Sequence, residues 1–174
     1  MPKPLDGDTK QVVFNMNALP LDVEASGNGV RTTSLTSEKA PVLGELGLSA
    51  KLVKLDANAA FSLGYLADAA VQLIYVIRGS GHVEITGLNG ASAMKAKVEA
   101  GFLFVVPKLF VVSQIAADGE GMEWFSVITT PQPVFSQFAG KTSMFKALSP
   151  SLVEAAFNVD PELVKLLRSG GSSL

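Results

Sequence analysis

Apolar positions between Leu46 and Thr130 come in short runs broken by glycine, asparagine and proline, and no run is long enough to span a bilayer. Val30–Leu35 is rich in β-branched residues, which predicts a strand. Leu48–Leu55 partly alternates, so one of its faces should be buried. Val71–Ile77 is apolar on both faces and should lie centrally in a sheet. His82–Thr86 alternates again. Lys95–Ala100, Phe102–Pro107, Phe110–Ile115 and Glu123–Thr130 complete the set, with Gln11–Asn15 as a short strand candidate. Gly79-Ser80-Gly81 and Asn89-Gly90 read as turns between strands, and Pro41 and Gly44 as loop residues. Strands at this spacing predict a sandwich or barrel.

The period changes after Pro131 and Pro133. Ser149 is a good N-cap with Pro150 at the first helical position, and Leu152, Val153, Ala156 and Phe157 then share a helical face. Asp160-Pro161 repeats the start signal, Leu163, Leu166 and Leu167 form a second apolar stripe, and Gly170 ends it. The chain thus divides into a loose N-terminal arm (1–10), a β-barrel (11–133) and a helical extension (134–170).

Composition narrows the chemistry. Of the 174 residues 48% are hydrophobic and 17% charged, which points to apolar surface covered by another chain. The net charge of -2 and the lack of a basic block argue against nucleic acid as a partner, and no segment argues for a membrane. There is no cysteine and one histidine, so disulfides, thiolate nucleophiles and His-rich metal sites are excluded. Met1–Asp8 is polar and proline-broken and has no signal-peptide core, which gives a cytoplasmic expectation.

Six segments in order carry a family resemblance: Gly29–Leu35, Leu46–Leu55, Leu73–Gly79, Val98–Gly101, Phe138–Ser143 and Leu152–Val159. Together they resemble the C-terminal cupin half of plant legumin-type (11S) seed globulins and the cytosolic globulin-like bicupins. The resemblance implies a mainly β fold, a single cupin jelly-roll β-barrel with a C-terminal helix pair. Such proteins usually carry two cupins in one chain. It therefore implies a homo-oligomer, dimer or higher, or a second cupin half as partner. In that family the helical extension docks on a neighbouring cupin, which makes Leu152, Phe157, Leu163, Leu166 and Leu167 the expected interface. A storage vacuole is the alternative location for a processed fragment.

An active cupin holds its metal with three histidines and a glutamate. Anchored on Gly79, Gly101 and Pro107, those positions fall on Tyr65, Ala67, Gln72 and Val112. Phenol, methyl, amide and isopropyl groups do not grip a divalent ion, so neither a metal nor a cofactor is expected. His82 shares the polar face of its strand with Glu84 and Thr86 and reads as a surface residue. Asp56 and Asp68 read as solvated turn residues rather than an acid–base pair. Tyr65 and Gln72 are candidate contacts for a small ligand in the barrel mouth, against a barrel plugged by its own side chains. The leading function is a non-enzymatic, metal-free storage-type or structural protein of the nutrient-reservoir class. A small-molecule binder is the alternative, and a germin-like metalloenzyme stands third.

Overall fold

The computed structural model describes residues 12–22, 29–137 and 143–169; the side chains of Ser62, Leu63 and Met144 lie outside that description. The N-terminal arm, Gln11, Asn28, the segment 138–142 and Gly170 are also outside it.

Among the described residues nine antiparallel strands form two sheets that share one long strand. They are β1 (Val30–Leu35), β2 (Ser49–Leu55), β3 (Ala60–Leu66), β4 (Gln72–Gly87), β5 (Ser92–Glu99), β6 (Leu103–Val106), β7 (Phe110–Ala116), β8 (Met122–Ile128) and β9 (Phe135–Gln137). The path runs β1-β2-β8-β4-β7-β3-β9, with β5 and β6 also paired to β4. The first half of β4 pairs β8 and β6, and its second half pairs β5 and β7. The two inner faces close on one core that includes Val53, Ile74, Val76, Val83, Ile85, Val112 and Trp124. Burial of such side chains stabilises by roughly 1.5–3 kcal/mol each. This is the mainly β architecture that the strand pattern predicts and the jelly roll that the family resemblance implies.

Gly79-Ser80-Gly81 is not a turn. β4 runs through it and passes from one sheet to the other, with a register shift between Val76 and Arg78. Gly79 has φ +75°, and a Cβ there would lie 2.0 Å from the carbonyl oxygen of Gly121. A Cβ on Gly81 would lie 2.5 Å from the oxygen of Ile115. The glycines let β4 cross at close quarters with its neighbours; they do not reverse the chain.

Two further expectations are corrected. Residues 12–15 are irregular and lead into a 3₁₀ turn at Met16–Ala18, whose N–H at Asn17 is taken by the Asn15 side chain. Pro41 and Gly44 sit inside a short helix, α1 (Pro41–Leu46), because proline suits a first helical turn and Gly47 closes it at φ +69°. Strand β3 has no clean alternation in the sequence, and its register against β7 shifts between Phe61 and Gly64.

The chain ends in α2 (Met144–Ala147), α3 (Pro150–Phe157) and α4 (Pro161–Ser169). The expected helix pair is α3 and α4. α3 and α4 each bury one valine, Val153 and Val164. Arg168 donates from Nη1 to the carbonyl oxygens of Phe145 and Leu148, and the Phe145 and Phe157 rings meet edge to face at 5.5 Å. β9 precedes the helices and pairs with β3, so the barrel's last strand lies beyond residue 133.

Candidate functional site

The inward positions of β2 are Ser49, Lys51, Val53 and Leu55, all buried. Val53 and Leu55 suit a core; Lys51 does not. It is 3% exposed, and its Nζ lies 3.7 Å from the centre of the Phe135 ring and 5.6 Å from that of Phe61. The ring faces offer partial compensation by cation–π attraction. Burial lowers the Lys51 pKa from its ordinary value to about 8, against the opposing pull of the Asp22 carboxylate. No hydrogen-bond acceptor for Nζ is recorded among the described residues.

Lys51 lines a cavity of about 40 Å³ inside the barrel together with Phe61, Tyr65, Gln72, Phe110, Val112 and Phe135. Gly64, Leu66, Val106, Pro107, Ser136 and Gln137 complete the wall. The pairing of strands places these residues. Tyr65 lies opposite Ser136 through β3 and β9, and Gln72 opposite Val106 through β4 and β6. Gln72 Nε2 donates to Ser126 Oγ at 2.9 Å, and Ser126 lies opposite Lys51. The amide of Gln72 is thus anchored on β8, the strand paired with the one that carries the ammonium.

Of the four positions read as vacated metal ligands, Tyr65, Gln72 and Val112 line the cavity. Ala67 does not. It is exposed, just beyond the end of β3, and its N–H donates to the carbonyl oxygen of Val134. The structure therefore brings three of the four together and adds a lysine that the alignment does not touch. This donor set does not fit a divalent metal. It offers an amide, a phenol, an isopropyl group and a cation, and no cluster of histidine, cysteine or carboxylate groups occurs among the described residues.

A signal for Lys51 was present in the sequence. Lys51 and Lys54 are three apart, so on a strand they point to opposite faces. Lys54 takes the outer face, where it meets Glu123 at 3.4 Å and Asn17 at 2.6 Å. Parity with Val53 and Leu55 sends Lys51 inward.

The other sequence candidates lie apart from the cavity. His82 is exposed and 3.4 Å from Glu84, whose carboxylate also pairs with Lys95 at 2.9 Å. The hydrogen bond from Lys95 holds the Glu84 pKa below its ordinary value. Asp56 pairs with Arg31 at 2.6 Å. Asp68 accepts from the N–H groups of Ala70 and Val134, which fixes the turn after β3. Leu152, Phe157, Leu163 and Leu166 are exposed and Leu167 is half-buried. Among the described residues no helix is long and apolar enough to cross a membrane.

Comparison with known proteins agrees with the fold. The model of the cupin family matches residues 17–165. The 11S globulin seed storage protein 2 of Sesamum indicum is 30% identical over 135 residues, which is 78% of this chain and 29% of that protein. Glutelin type-A 2 of Oryza sativa subsp. japonica is 30% identical over 138 residues, 79% of this chain and 27% of its own. The chain thus spans less than a third of the length of these relatives. Among solved structures, the coconut allergen cocosin superposes with a TM-score of 0.81 at 24% identity, over 93% of this chain and 42% of that one. A variant oxalate decarboxylase of B. subtilis shares the fold, with a TM-score of 0.74 at 20% identity over 92% of this chain and 40% of that one. The chain belongs to the cupin family, and its similarities fit a C-terminal cupin domain of the legumin type.

Proposed function

We propose that the protein is a non-enzymatic, metal-free cupin of the nutrient-reservoir class, a storage-type globulin domain. The observation that carries this reading is the cavity itself. Where a metal-dependent cupin needs imidazoles and a carboxylate, this barrel presents Gln72, Val112, Tyr65 and the Lys51 ammonium. A resident cation at that point repels a second one. The relative named as a seed storage protein supports the same role. The cytoplasmic expectation has no support from the relatives, which favour the storage-vacuole alternative. Quantitative proteomics across seed maturation and germination tests the reading. Accumulation in storage vacuoles followed by depletion on germination supports it; a constant trace level overturns it. Near-stoichiometric Mn, Fe or Zn in protein purified without chelator overturns the metal-free part.

The protein acts as a homo-oligomer or beside a second cupin half. Support comes from apolar surface on two faces. On the outer side of the sheet, Leu73, Tyr75, Leu103 and Val105 are exposed on adjacent strands, with Tyr75 opposite Leu103 and Leu73 opposite Val105. On the helices, Leu152, Phe157, Leu163 and Leu166 are exposed, and with Leu167 they form the second contact.

A further inference from the structure

The reservoir role makes no use of a buried lysine. Lys51 has exchanged water for two phenyl rings, and its three N–H donors have no recorded acceptor among the described residues. Among the described residues the acid whose charge reaches it, Asp22, is engaged elsewhere. Asp22 accepts from Thr32 Oγ1 and from the Ser34 N–H and hydroxyl, and lies 4.0 Å from Lys39. A buried charge without a partner is costly, and a counter-ion delivered from solution relieves that cost.

The wall of the cavity selects among anions. Among the described residues that line it, Lys51 is the one cation and Tyr65 the other titratable group. Arg31 and Lys54, on β1 and β2, are held by Asp56 and Glu123. Phosphate or sulfate, as a dianion, would keep a charge uncompensated against an apolar wall. A monoanion with an apolar body meets one cation and the faces of Phe61, Phe110 and Phe135. The volume of about 40 Å³ exceeds what one water needs, ~10–15 Å³, but admits only a small molecule.

We propose that the barrel cavity binds a small monocarboxylate, with the carboxylate on Lys51 Nζ and the apolar body against Phe61, Phe110, Phe135 and Val112. The site goes beyond the reservoir role and does not rest on it. Binding needs the ammonium, so affinity is flat near neutrality and falls about tenfold per pH unit above the lysine's pKa of about 8.

The test is titration of the full chain with butyrate, against butyramide of the same shape and against sodium chloride at equal ionic strength. The expected result is saturable binding of butyrate alone, weakened at least tenfold between pH 7 and pH 9.5 and abolished in Lys51→Met. Amide chemical-shift changes in the unmutated protein should converge on Val112, Phe135 and Tyr65, a readout that does not need the variant to fold. Equal effects of butyrate and butyramide, an equal effect of chloride, or shift changes confined to other surfaces overturn the proposal.

Discussion

Burial of Lys51 makes the stability of the fold depend on pH. Its folded pKa of about 8 lies below the ordinary 10.5, so between those values the unfolded chain binds more protons than the folded one. Stability therefore rises as pH climbs from about 8 to about 10.5, and the full cost is present below about 8. A shift of this size corresponds to about 3 kcal/mol. We expect Lys51→Met to be more stable than the parent at pH 7 by about 1–3 kcal/mol, part of the gain being lost with the cation–π contacts. Urea unfolding across pH 7 to 10.5 should show the difference shrinking toward high pH; a constant difference would remove the electrostatic explanation. Gln114 presents a related case. Its side chain is fully buried, and neither its oxygen nor its nitrogen has a hydrogen-bond partner among the described residues. Gln114→Leu should be neutral or stabilising by about 1–2 kcal/mol in the same assay. The site residues were unequally legible. Tyr65 and Gln72 could be placed from the glycine anchors. Lys51 was hidden because the expectation that lysine faces water outweighs the parity of one short strand.

At the scale of elements, β4 teaches most. Glycine serves a tight reversal and a close crossing for one reason, the missing Cβ, so Gly79-Ser80-Gly81 looks alike in both. Only the neighbour decides, and here it is the Gly121 carbonyl. Gly79→Ala should cost about 3 kcal/mol, combining positive φ with a backbone clash. Gly90 also has positive φ, but nothing lies within 4 Å of a Cβ built there. Gly90→Ala should cost about 1 kcal/mol. Thermal unfolding of the two variants side by side checks the contrast, and equal losses would dismiss the crowding argument. The strand β1 was legible to the residue, because β-branched content marks it. β3 was not, because a register shift against β7 breaks the alternation that announces a strand.

For the whole molecule, the apolar run Val71–Ile77 states a requirement that one barrel does not meet. Ile74 and Val76 are fully buried, while Tyr75 is 47% and Leu103 opposite it 63% exposed. A run apolar on both faces belongs to a strand covered on both faces. Burying each large side chain contributes ~1.5–3 kcal/mol, and in a two-fold contact each counts twice. We expect Tyr75→Asp with Leu103→Glu to lower the native mass in analytical ultracentrifugation while leaving the barrel folded by circular dichroism. Leu166→Asp tests the helical contact in the same way. If neither variant changes the mass, neither face is an interface of the assembly.

What the amino-acid sequence determined alone was most of the strands, the change to helices near its end and the residue types that stand at each position. These depend on local periodicity and residue type, which are written along the chain. The tertiary structure alone decided that β4 crosses between sheets, that Ala67 stands outside the cavity while Gln72 and Val112 line it, and that Lys51 is set between two phenyl rings. Those facts arise from residues far apart in sequence, Lys51 with Phe135 and Gly79 with Gly121, and their meeting is fixed by register and packing rather than by any local pattern.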